Sequence, residues 1–184
     1  LVQGGKKRVI RVGRFGGHSY GVACIRLSCA GMLMALTGRR YGTSVVDLTT
    51  GTLRERISEA HMQTYAVALT HGGEMLISGG QDWPTRWRTS NGELLHAYRS
   101  QRSENTYDLL ATSDGSEFFA AYDSGSIKQW DVRDKGVVRE FSGHADAVNT
   151  LALDEDNGWL YSGGKDCTVR LWPLDESLPP QVLN

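Results

Sequence analysis

Long apolar runs are missing from this 184-residue chain: none approaches the roughly 20 residues needed to cross a bilayer as a helix. No basic start followed by an apolar core resembles a signal peptide, so neither membrane insertion nor secretion is expected. Cysteine is scarce, and Cys24, Cys29 and Cys167 form an odd set at no disulfide-framework spacing. A reducing, intracellular compartment, cytoplasmic or nuclear, is the simpler expectation. Four prolines against 22 glycines fit many tight turns better than long helices. Net charge is nearly absent at −1, but it is unevenly spread. Residues 1–60 carry ten Lys/Arg against three Asp/Glu, and residues 61–184 carry ten against eighteen. Such an asymmetry can steer a charged partner, and it equally describes a solvated surface.

What is present is a repeat. Phe141 to Leu174 reads as three short strands: an alternating run from Val148, an apolar strand Trp159 to Ser162, and Cys167 to Trp172. Polar turns at Asp154–Gly158 and Gly163–Asp166 separate them. A sheet of this size is too small to stand alone and needs neighbours. The first turn recurs at Gly31, Gly73, Gly115 and Asn157, each 42 residues after the last. Glycine and asparagine tolerate positive φ, so this spacing predicts the same hairpin turn four times. Trp172 recurs as Trp130, Trp87 and, more weakly, Val46. A fixed period in this range, built on strands, predicts a β-propeller.

The expected fold is therefore all-β, with about four four-stranded antiparallel blades in a single region spanning 1–184. Residues 1–17 are expected to supply an outer strand, Val9 to Phe15, of a preceding blade. Units then run approximately 18–60, 61–102, 103–143 and 144–184. The fourth strand of the last unit, Gln181 to Leu183, is weakly specified because Pro179 and Pro180 precede it. Two arrangements follow: an open arc that is part of a larger ring, or closure within the chain with Val9 to Phe15 as strand four of the last unit. The first is favoured, since four-bladed rings lie at the small end of the known range.

Gly143-His144 near a unit's start, Ser162-Gly163 and Asp166 in its middle and Trp130-Asp131 at a third strand's end together resemble the WD-repeat β-propeller family. The resemblance covers nearly the whole chain. It departs from the pattern at Pro173, Arg88 and Val46, where the dipeptide is incomplete, and in unit three, which keeps only Trp130. It implies a structural hydrogen-bond network of His144, Ser162, Asp166 and Trp172 in unit four, and of His61, Ser78, Asp82 and Trp87 in unit two. Unit one retains His18 and Thr37, but Arg40 stands in place of the aspartate. An indole N–H, a hydroxyl, an imidazole and a carboxylate can satisfy one another where water is excluded.

His144, Ser162 and Asp166 are also the residue types of a nucleophilic triad. The trio recurs at repeat spacing in unit two, and one protein rarely needs several copies of a catalytic site, so a structural role is preferred. Cys24 and Cys29 lack the second pair that a metal or iron–sulfur site would need. Ser78-Gly79-Gly80 lacks the lysine and following helix of a phosphate loop. No catalytic, cofactor or metal residues are assigned, and no small-molecule substrate is expected.

Propellers bind mainly through loops gathered at one end of the blades. The resemblance places Tyr20, Arg39, Arg40, Gln63, Gln81, Trp83, Asn105, Asp123, Asp146 and Lys165 at that end as partner-binding candidates. Trp83, ahead of Pro84, is either an exposed anchor or a ring packed over its own blade. The expected function is a non-catalytic scaffold for protein–protein interaction within a multiprotein complex. Alternatives are an RNA-associated or ribosome-biogenesis subunit using the basic first third, and a substrate-recognition subunit of a ubiquitin ligase. A hydrolase using Ser162 or Ser78 is the remaining alternative.

Overall fold

Sixteen strands and no helix make up the described part of the chain. The structure, a computed structural model, describes residues 22–28, 31–38, 42–57, 63–70, 72–99 and 104–183. Unit one contains β1 (Val22–Leu27), β2 (Leu33–Gly38), β3 (Thr43–Asp47) and β4 (Thr52–Ile57). Unit two contains β5 (Thr64–Leu69), β6 (Met75–Gly80), β7 (Thr85–Arg88) and β8 (Leu94–Ala97). Unit three contains β9 (Thr106–Ala111), β10 (Glu117–Tyr122), β11 (Ser126–Asp131) and β12 (Val137–Ser142). Unit four contains β13 (Val148–Asp154), β14 (Trp159–Gly164), β15 (Val169–Pro173) and β16 (Gln181–Leu183). Each set forms its own sheet, with strands side by side in chain order and antiparallel.

The core lies between sheets. Because side chains alternate along a strand, neighbouring residues point to opposite faces and pack against different blades. Leu76 and Trp87 join Leu33, Ala35, Val45 and Ile57 of unit one, while Ile77 packs with Leu109, Phe118 and Trp130 of unit three. Phe119 and Ile127 then face Leu151, Leu160 and Trp172 of unit four. Each such buried side chain contributes about 1.5–3 kcal/mol, which no sheet obtains without its neighbour. The inner strands carry this contact in sequence, β1 on β5, β5 on β9 and β9 on β13. The four sheets form an open arc and do not close on one another.

Three details differ from the expectations. In unit four the left-handed turn residue is Gly158, at φ 72°, whereas Gly31, Gly73 and Gly115 hold it in the other units. Asn157 instead gives its backbone and side-chain N–H groups to the Asp154 carboxylate, which moves the turn on by one residue. The third strand of that unit begins at Val169 rather than Cys167, because Cys167 takes φ 63° in a turn organised by Asp166. The weakly specified β16 is present, since both prolines precede it and its three residues pair with β15. It occupies the edge of β15 that closure within the chain would have assigned to Val9–Phe15, a segment outside the described residues.

Candidate functional site: the loop end of the arc

Unit four contains a closed chain of polar contacts. Asp166 lies 2.9 Å from His144 Nδ1, His144 Nε2 lies 2.8 Å from Ser162 Oγ, and Trp172 Nε1 donates to Ser162 Oγ at 2.8 Å. A carboxylate only accepts, so His144 donates from Nδ1, Ser162 donates to Nε2, and the indole donates to the hydroxyl. Every group is then satisfied. Burial would raise the Asp166 carboxyl, but the Ala145 N–H, His144 and Thr168 donate to it and hold it well below the usual carboxylate range. Gly164 permits this closeness, because a Cβ there would sit 2.5 Å from His144 Nδ1.

The contacts run in the order of a nucleophilic triad, but Ser162 is 2 % exposed and its oxygen already serves an indole. The hydroxyl is thus engaged on both sides within the network, which joins the β14–β15 turn to the segment before β13.

The other units solve the same problem differently. In unit two Trp87 Nε1 donates to Ser78 Oγ at 2.9 Å, while His61 lies outside the described residues. In unit three Trp130 Nε1 donates to the hydroxyl of Tyr122 at 3.1 Å. Tyr122 stands two positions beyond the serine's place on the second strand, and burial pushes its phenol pKa up. Lys128 crosses the Tyr122 ring and forms a buried ion pair with Glu104. Sequence reasoning missed this substitute set, since none of its residue types matches the pattern expected.

The turns and inner strands meet at one end of the arc. Gln81 N–H donates to the Gln63 carbonyl at 3.1 Å, Asp123 N–H to Asn105 at 3.0 Å, and Lys165 N–H to Ala147 at 2.8 Å. Gln63 with Gln81, Asn105 with Asp123, and Asp146 near Lys165 are thus brought together. Tyr20, Arg39 and Arg40 lie outside the described residues. Trp83 is half-buried beneath the Arg99 guanidinium, 5.3 Å from its ring, and lines a crevice of its own sheet with Thr85, Trp87 and Leu94. It is a ring laid over its own blade.

A further set of residues emerges from the register. Every inner strand carries a bulge near its start, between Val22 and Cys24, Thr64 and Ala66, Thr106 and Asp108, and Val148 and Thr150. The extra residues are Ala23, Tyr65, Tyr107 and Asn149, spaced by 42, and bulges re-aim side chains. These four, with Lys165, line a cavity of about 390 Å³. Tyr65 and Tyr107 meet edge to face at 5.8 Å, and Lys165 Nζ stands 5.5 Å from the Tyr107 ring centre. The fixed spacing was visible in the sequence, but the bulge that gives it meaning was not.

Beside that mouth, Asp108 is buried and ties three units together. Its carboxylate accepts from Arg26 of β1 at 2.5 Å, from its neighbour Leu109 N–H, and from Leu151 N–H of β13 at 2.8 Å. Among the described residues there is no group of three or more potential metal ligands and no helix long and apolar enough to cross a membrane.

Repeated four-stranded sheets packed face to face around their inner strands, with tryptophan–serine bonds locking the turns, define a β-propeller. A family model described as "WD domain, G-beta repeat" matches residues 135–173. The human protein "WD repeat-containing protein 36" is 35% identical over 88 residues, covering 48% of this chain and 10% of that protein. "Protein groucho" of Drosophila melanogaster is 30% identical over 116 residues, covering 60% of this chain and 16% of its own. Residues 135–173 thus carry a WD-repeat match, the four sheets fit part of such a propeller, and the chain spans a small part of the length of these relatives. WD repeats generally mediate protein–protein interaction.

Proposed function

We propose that the chain is a non-catalytic intracellular scaffold that presents the loop end of its blades to protein partners in a multiprotein complex. The carrying observation is the mouth formed by four bulge residues and framed by three similarly bonded turns. A surface fixed by buried networks meets a partner with little ordering cost, which favours binding without any covalent step. Cys24 and Cys167 are free thiols, in keeping with a reducing compartment.

The test is partner capture by the full chain, followed by crosslinking and mass spectrometry. Crosslinks should concentrate on the turn holding Lys165. Capture should fall for Gln81→Ala combined with Asp123→Ala, and persist for Asp156→Ala at the opposite, β13–β14 end. Loss only with the latter change would overturn the assignment. The basic first third motivates a second reading, an RNA-associated or ribosome-biogenesis subunit, which requires RNA retention falling steeply with salt. A ubiquitin-ligase substrate receptor would instead show salt-tolerant capture of a protein together with ligase subunits.

A further inference from the structure

We infer that the mouth lined by Tyr65, Tyr107, Asn149 and Lys165 is a receptor for the carboxylate side chain of an extended acidic peptide. This rests on the scaffold reading and specifies the partner's chemistry. Among the described residues, the Tyr107 hydroxyl and the Asn149 amide make no hydrogen bond, and Lys165 has no carboxylate partner. Three residues with donors that have no acceptor among the described residues thus line a cavity of about 390 Å³. A carboxylate accepts from several donors at once, and bonds to a charged acceptor are about twice as strong as neutral ones.

The neighbouring carboxylates already accept hydrogen bonds, and one of them is ion-paired. Asp123 accepts the Asn105 backbone N–H at 3.1 Å and its amide at 2.6 Å. Asp146 accepts the Ala147 N–H at 2.6 Å, and Asp108 is neutralised by Arg26. Lys165 forms no ion pair among the described residues. Its place is set from below, because the next residue, Asp166, is held by His144, Ala145 and Thr168. The edge-to-face tyrosines present flat apolar walls suited to the methylenes of a glutamate, whose carboxylate then reaches the donors. A nucleic acid would instead demand several cations along a track, and among the described residues that line the mouth Lys165 is the one cation.

Fluorescence anisotropy with a labelled peptide of alternating Gly and Glu tests this, using the full chain. The Glu peptide should bind at least about tenfold more tightly than its Gly/Gln counterpart, and Lys165→Gln should remove that preference. Tyr107→Phe, which keeps the wall and deletes only the hydroxyl, should weaken the Glu peptide about threefold to tenfold. Circular dichroism melts of both variants should match the parent chain, since neither residue is in the buried core.

Equal binding of the two peptides, or an unchanged Glu affinity in Lys165→Gln, would overturn the inference. So would preferential binding of single-stranded oligonucleotide with the same dependence on Lys165. Should the peptides fail while captured proteins still crosslink to the Lys165 turn, the scaffold reading stands and only the acidic specificity falls.

Discussion

Replacing Ser162 by alanine removes one oxygen and leaves two buried nitrogens without a partner. Trp172 Nε1 and His144 Nε2 each lie 2.8 Å from that oxygen, the His144 side chain has no exposure, and Trp172 is 4 % exposed. The vacated volume is a single atom, below the size that holds a water, so solvent does not replace the hydroxyl. Each orphaned group costs about 1–3 kcal/mol, and together they should cost about 2–4 kcal/mol. For a chain of this length that corresponds to a fall in Tm of roughly 5–15 °C. Urea unfolding followed by far-UV circular dichroism measures the loss, and an unchanged m value shows that the same surface is exposed in both proteins. Ser162→Thr, which retains the oxygen, should recover much of it. A loss below about 0.5 kcal/mol, typical of an ordinary surface change, would refute the argument that this hydroxyl organises the unit.

Acid should weaken the same turn. The Asp166 carboxyl is held below its ordinary value of 3.8 in the folded chain, so its stabilisation is present above that pH and is lost as pH falls through the folded value. Asp114 behaves alike, pushed down to about 2 by the Ser116 N–H and the Thr112 and Ser116 hydroxyls. Tm should therefore decline from about pH 4 downward, and Asp166→Asn should lower Tm at pH 7 while flattening that decline. In unit three, Lys128→Met removes the buried cation that pairs with Glu104 and should destabilise by about 3–5 kcal/mol, and Lys128→Met with Glu104→Leu should restore most of the loss in chemical denaturation. Tyr122→Phe deletes the acceptor for Trp130 and should cost about 1–3 kcal/mol by the same assay.

Unit three shows why part of the site was hidden from sequence reasoning. It lacks the histidine and serine of the expected network. In the fold, Tyr122 reaches Trp130 from a neighbouring position, and Lys128 and Glu104, 24 residues apart, meet in the core. The chemistry required is an acceptor for an indole N–H, and more than one residue type at more than one position can supply it. Trp83 illustrates the same limit. Pro84 marks a loop in the sequence, but whether the ring faces outward depends on Arg99, which the pairing of β7 with β8 brings alongside it.

The 42-residue period, the alternation within strands and the turn residues were sufficient to determine an all-β fold of four-stranded antiparallel sheets and the WD-repeat resemblance, because those properties depend on local geometry and on which face of each strand is apolar. Residues 23, 65, 107 and 149 carry no common chemistry and no shared pattern of polarity. Only the tertiary structure made them one site, because a bulge turns each toward the mouth and the packing of inner strand on inner strand brings the four together. Convergence of that kind depends on contacts between distant parts of the chain, which a local pattern does not encode.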